Sequence, residues 1–159
     1  MDDYVLPRVP ASAGALLRDD EGRILILKPT YKSGWTVPGG QLEEDGESPW
    51  EGCRREVREE TGLDVVSGRL ACVDFLRPRP GRPGGIRFLF DCGVVDVDVD
   101  RRGGLVLQVE EISEARWAPP DEALRLLSGP VGRRVARALA ATGTVYLESG
   151  RPVPGVDGW

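Results

Sequence analysis

Glu56, Glu59 and Glu60 fall within five residues of one another in the stretch REVREETGL, which runs from Arg55 to Leu63. Like charges at that spacing repel and weaken an isolated helix. At about 100° per residue, Glu59 lies about 300° and Glu60 about 400° around a helix from Glu56, which puts all three within an arc of about 100°. Carboxylate oxygens are hard ligands, suited to Mg2+ or Mn2+ and not to softer metals. Carboxylates on one helical face, beside a glycine-rich turn with free carbonyl and N–H groups, can hold such a cation, which in turn removes their repulsion. The same residues also suit an ordinary solvated face. Glu51–Arg55 and Arg55–Glu59 are i,i+4 partners, and both residue types favour helix. The surroundings favour the cation: the tripeptide PGG precedes at 38–40, Glu47 stands just before the helix, and TGL closes it.

The longer segment GGQLEEDGESPWEGCRREVREETGL, residues 39–63, resembles the Nudix box of the Nudix (MutT-like) hydrolases. Glu47, seven intervening residues and REVREETGL match that pattern. The front departs from it, because six residues rather than five separate Gly40 from Glu47. The resemblance implies an α/β (α+β) fold, an α/β/α sandwich around a mixed β-sheet, with the box forming a loop, a helix and a loop. It also implies cleavage of a nucleoside diphosphate linked to another group, with Mg2+ or Mn2+ as cofactor. Carried over position by position, Glu56, Glu59 and Glu60 match the metal-binding glutamates. Arg55 matches the arginine that pairs with the first glutamate, Glu47, and Gly40 matches the glycine whose carbonyl often completes the coordination. Members of the family are often dimers, so a homodimer is an expectation here.

With no histidine in the chain, proton transfer falls to carboxylates, Lys, Tyr or metal-bound water. Family members differ in which glutamate takes the proton, and some use one beyond the box. Glu111, six residues before Trp117 in LQVEEISEARWAPPDEA, has a spacing similar to that of several relatives, with Glu110 and Glu114 as rivals. Glu59, Glu56, Glu111 and Arg55 are therefore the catalytic candidates. Substrate signals are thinner. The loop RPRPGRPGGIR carries Arg77, Arg79, Arg82 and Arg87, a set able to clamp phosphates through bidentate guanidinium contacts, and equally the makeup of a solvated connection. Pro78 falls fifteen residues after Leu63, a position similar to one in ADP-ribose-cleaving members. Tyr31, Trp35, Phe75 or Phe88 could stack on a base or simply pack in a sheet. The expected substrate is a small nucleotide-like diphosphate. The alternatives are a non-catalytic nucleotide-binding module, whose known examples generally lose box glutamates, and removal of 5′ pyrophosphate from RNA.

Several elements must position these residues. Two apolar runs around Asp19–Gly22 read as a hairpin, and GWTVPGG as a short β-prone piece ended by Pro38 and two glycines. ESPWEGCRREVREETG reads as a helix with Ser48 as N-cap, Pro49 at its first position, Glu51 three residues after the cap and Gly62 as stop. Trp50, Cys53 and Val57 supply its apolar side. RLACVDFL and IRFLFDCGVV read as strands, VDVDVDRRGG as a strand end or edge, DEALRLL and VGRRVARALAAT as helices, and TVYLESGRPV as a small terminal hairpin.

The 159 residues suit one domain over 1–159. A net charge of −5 argues against a general nucleic-acid binder. No apolar run approaches the length of a membrane span. The opening MDDYVLPRVP starts acidic and lacks a secretory core. Cys53, Cys72 and Cys92, an odd number spaced unlike a zinc site and set in apolar segments, read as reduced core residues of a cytoplasmic protein.

Overall fold

The computed structural model describes residues 4–96 and 105–159. In chain order its elements are β1 (Ala11–Arg18), β2 (Ile24–Pro29), β3 (Gly39–Gln41), α1 (Pro49–Thr61), β4 (Arg69–Leu76), β5 (Gly85–Val94), β6 (Ile112–Ala118), α2 (Pro120–Leu126), α3 (Gly129–Ala140) and β7 (Val145–Glu148). The expected first hairpin forms. Asp19 closes its turn by accepting from the N–H groups of Glu21 and Arg23 and from Arg23 Nε. The two strands share one register pair, Arg18 with Ile24, and then part. Into the opening comes β3, antiparallel to the start of β1, while β2 continues along β6. On its other edge β1 runs parallel to β5, giving the mixed sheet order β6-β2-β1-β5-β4-β7 with β3 also on β1.

Both faces of the sheet are covered, as a sandwich requires. Cys53 and Val57 of α1 are fully buried among Ala13, Ala15, Leu17, Leu25 and Leu27, and Trp50 meets Phe90 edge-on at 5.1 Å. On the opposite face Leu16, Ile26, Leu89 and Leu147 pack with Ala123, Leu127, Val135 and Ala138 from the α2–α3 side. The caps of α1 are those its sequence announces. Ser48 Oγ accepts from Glu51 N–H at 3.1 Å, and Gly62, at φ 75°, donates its N–H to Arg58 O at 2.9 Å.

Three elements differ from the expectation. The strand of GWTVPGG falls on Gly39–Gln41, while Trp35 and Thr36 make only isolated bridges. Close backbone approach explains this: a Cβ on Gly39 would stand 2.6 Å from Ala13 O. ISEARWA, which no clear alternation marks, forms β6 at the sheet edge with Ser113, Glu114 and Arg116 exposed. The terminal segment is not a free hairpin. Its Leu147 is drawn into the core, so β7 runs parallel to β4, and a single Glu148–Arg151 bridge closes the turn after it. Of VDVDVDRRGG, Val95 and Asp96 follow β5 and residues 97–104 lie outside the described residues. Cys53 and Cys72 are buried, whereas Cys92 is half-buried, and none of the three is in a disulfide.

One buried ion pair ties α3 and the terminal turn to the sheet. Asp74 on β4 is fully buried and accepts from Arg134 Nε and, at 2.9 Å, from Gly150 N–H. Removing one partner leaves the other buried and uncompensated, which costs about 3–5 kcal/mol. Asp74→Ala is therefore expected to lower the unfolding free energy by about that amount in a urea titration.

Candidate functional site

The carboxylates of α1 are organised around one guanidinium. Arg55 donates from Nε to Glu47 Oε2 at 2.6 Å and from Nη2 to Glu47 Oε1 at 2.9 Å, a bidentate pair. The same Nη2 reaches Gln41 O at 3.1 Å, so the loop before the helix is held to it. Nη1 turns the other way and donates to Glu56 Oε1 at 3.0 Å and Glu59 Oε2 at 3.1 Å. Hydrogen bonding to Glu47 holds Arg55 above its ordinary value, and the guanidinium holds the Glu47 carboxyl below its own.

Glu60 behaves differently from its neighbours. It is 4% exposed, and its Oε1 accepts from Gly39 N–H at 2.7 Å. Burial pushes its carboxyl up to about 8, the Gly39 hydrogen bond opposes this, and the charges of Glu56, Glu111 and Glu59 add to the rise. Burial also raises Glu56, against the pull of Arg55. Gly40 lies against Glu56 so closely that a Cβ there would collide with its carboxylate. The two glycines thus divide the work, Gly39 binding Glu60 and Gly40 making room for Glu56.

Glu111, on the exposed segment leading into β6, belongs to the same field, since its charge raises both Glu56 and Glu60. Its backbone is fixed by Thr30 N–H donating to Glu111 O at 2.8 Å. Its rivals are placed otherwise: Glu114 pairs with Arg116, and Glu110 offers its carbonyl to Thr30 Oγ1 at 2.8 Å. Two residues of the β2–β3 loop complete the surroundings. Tyr31 is held above its usual value by burial and by Glu60, Glu111 and Glu56. Lys32 is held below its usual value by burial and by Arg134 and Arg87, with Glu60 pulling the opposite way. No spacing rule would have singled out Lys32, which is brought there by the parting of β1 and β2.

The arginines of the β4–β5 connection do not all stand alike. Arg77 pairs with Glu148 at 3.2 Å and lies over the Phe75 ring. Arg79 and Arg82 close a tight turn through reciprocal backbone hydrogen bonds of 2.8 and 2.9 Å. Arg87, on β5, is half-buried, and its Nη1 has no hydrogen-bond partner among the described residues. All four line a cleft of about 670 Å3, joined by Arg133 of α3 and Arg151 of the terminal turn, which sequence distance had hidden. Trp35, another candidate for stacking, is covered by the Arg116 guanidinium at 4.9 Å, and Phe88 packs in the α1-side core.

Among the described residues no three acidic side chains are arranged to grip one ion, because Glu56 and Glu59 both lean on Arg55 Nη1. Their chemistry nevertheless fits a hard cation. Two oxygens already converge on a positive donor, and a buried third carboxylate stands on the same face.

The whole chain can be set beside known proteins. A model of the NUDIX domain matches residues 8–139. A MutT-like protein of Streptomyces ambofaciens is 32% identical over 131 residues, spanning 82% of this chain and 77% of that protein. The crystal structure of a MutT protein from Methanosarcina mazei Go1 shares the fold with a TM-score of 0.69 at 28% identity, over 86% of this chain and 97% of that one. An Ap4A hydrolase of C. elegans, solved as a binary complex, has a TM-score of 0.65 at 22% identity, over 83% and 96% of the two chains, a likeness of fold alone. With helices on both faces of a mixed sheet, an intact REVREETGL helix and a match along most of its length, the chain belongs to the Nudix family of hydrolases.

Proposed function

We propose that the protein is a divalent-metal-dependent pyrophosphohydrolase that cuts the diphosphate linkage of a nucleoside diphosphate derivative, be it a nucleotide, a nucleotide sugar or an ADP-ribose-like compound. One observation carries this reading: four carboxylates from two separate parts of the chain, Glu56, Glu59, Glu60 and Glu111, share one electrostatic field. Such crowding opposes folding unless a cation is taken up there. Glu56, Glu59 and Glu60, with the backbone of Gly40, would hold Mg2+ or Mn2+. When bound, the metal supplies charge screening for the diphosphate and a lowered pKa for attacking water. Arg55, clamped by Glu47, holds Glu56 and Glu59 in place on α1, while the Gly39 N–H holds Glu60. Glu111, on the exposed segment leading into β6, and Glu59, the most exposed of the three helix carboxylates, are the two candidates to take the proton of the attacking water. Arg77, Arg79 and Arg87 bind phosphate oxygens of the substrate. The intact box favours catalysis over a binding-only module, and the shared fold with an Ap4A hydrolase is in keeping with a nucleotide derivative as substrate.

Two measurements test this. Incubation with nucleoside triphosphates, nucleotide sugars, ADP-ribose, dinucleoside polyphosphates and triphosphorylated RNA should give hydrolysis of a small-molecule diphosphate that needs Mg2+ or Mn2+ and stops with a chelator. Glu59→Gln should lower kcat by about 10²–10⁴-fold with an unchanged melting curve. Turnover that survives chelation, or that Glu59→Gln leaves intact, would defeat the assignment.

A third measurement uses Glu60. Its folded-state pKa of about 8 lies above the ordinary 4.5, so the folded protein holds this proton more tightly than the unfolded chain. The resulting stability is complete below the lower value and is lost as pH rises through the higher one. In chelator-treated protein, wild type should therefore lose melting temperature relative to Glu60→Gln as pH rises from 4.5 to about 8. Added Mg2+ should stabilise wild type more than Glu60→Gln, since cation and proton compete for the same oxygens.

A further inference from the structure

We propose that Cys53 and Cys92 form a redox-active dithiol site, which a hydroperoxide converts into a disulfide joining the carboxylate-bearing helix α1 to strand β5. Such a site is a property of the α1–β5 packing and stands whether or not the box hydrolyses a diphosphate.

Two neighbouring pairs of side chains join α1 to β5. Trp50 and Cys53, at helical spacing, share the apolar side of α1, while Phe90 and Cys92, at strand spacing, share one face of β5. The Trp50 and Phe90 rings meet edge-on at 5.1 Å. A Cβ on Gly68 would stand 2.9 Å from the Trp50 ring and 3.3 Å from Cys92 Sγ, so that sulfur lies beside the indole on the α1 side of the sheet. Cys53 is fully buried one helical turn beyond Trp50, and the two thiols hydrogen-bond to each other. Each also has a carbonyl within reach, Gly14 O at 3.5 Å from Cys53 Sγ and Phe90 O at 3.9 Å from Cys92 Sγ.

The two sulfurs are not equivalent. The hydrogen bond with Cys53 lowers Cys92, against burial and the charge of Asp91, whereas that bond and burial both raise Cys53. Cys92 is also the half-buried member of the pair, hence the one a solute can reach. Its thiolate attacks one oxygen of the hydroperoxide and the O–O bond breaks. The departing oxygen takes up the proton that Cys92 released, leaving an alcohol, or water from hydrogen peroxide, and a sulfenic acid on Cys92. Cys53 sulfur then displaces the hydroxyl from Cys92 sulfur, and its own proton leaves with that hydroxyl as water. Two thiols lose two electrons and two protons, and one hydroperoxide takes them up. The new bond fixes α1 to the sheet one turn ahead of Glu56. Cys72 stands apart, fully buried in the core on the opposite face and pushed up to about 12 by burial.

The test treats the reduced, intact protein with hydrogen peroxide in the absence of denaturant. Of its three free thiols one should remain, with a Cys53–Cys92 peptide in non-reducing digests and a mass lower by two hydrogens. Dithiothreitol should restore all three. A cross-link across so long a loop should also raise the melting temperature, and dithiothreitol should abolish that rise. Cys72→Ser should oxidise as wild type does. Cys92→Ser should react with peroxide at least about 10-fold more slowly. Cys53→Ser should stop at the Cys92 sulfenic acid, trapped with dimedone, and Cys53→Ala serves in its place where the buried hydroxyl unfolds the chain. Persistence of all three thiols in folded wild type would overturn the inference. So would a bond through Cys72, a bond between two molecules, or one that forms only in urea, whatever the protein hydrolyses.

Discussion

The guanidinium of Arg55 is where the local fold and the local charge meet. Like charges crowded on one helical face repel and weaken the helix, and Glu56, Glu59 and Glu60 crowd one face of α1. Arg55 meets two of them with one nitrogen while its other edge grips Glu47 and the Gln41 carbonyl. The helix, the loop before it and the carboxylate face thus share a single anchor, and displacing it would loosen all three together. Glu60 escapes the anchor and is handled by burial and by the Gly39 N–H instead. Two different devices therefore stabilise three chemically identical side chains.

Charge is sorted along the molecule rather than mixed. Acids gather on α1 and at Glu111, while arginines gather where the β4–β5 connection, α3 and the terminal turn meet. Lys32 lies between the two, under the influence of both. The sheet makes this separation possible because β1, β3 and β5 run side by side, so residues from each region are only a strand or two apart.

What could be read from the residues alone followed locality. The α1 helix was fully legible, since its caps, its apolar side and its i,i+4 partners all lie within a few residues. The first hairpin and the β4–β5 pair were legible for the same reason. Elements decided by distant partners were not. β6 has a polar, exposed face and exists because β2 offers an edge. β7 leaves its expected hairpin because Leu147 finds a core. At the site, Glu56, Glu59, Glu60 and Gly40 came from one continuous motif, and Glu111 only from its resemblance to relatives. Lys32, Arg133 and Arg151 carried no signal, since nothing short of the folded topology brings them near the rest.

In front of Glu47 the box carries one residue more than the Nudix pattern, six rather than five after Gly40. The ladder of β3 ends at Gln41, Leu42 N–H makes a last bond to Ala11 O, and Glu43 N–H ties across to Glu47. The loop QLEEDG that carries the additional residue closes through a turn at Glu44–Gly46, outside the β3 ladder. That turn takes no part in the contacts of Gly39 with Glu60 and of Gly40 with Glu56, so its length bears on the loop and not on the carboxylates.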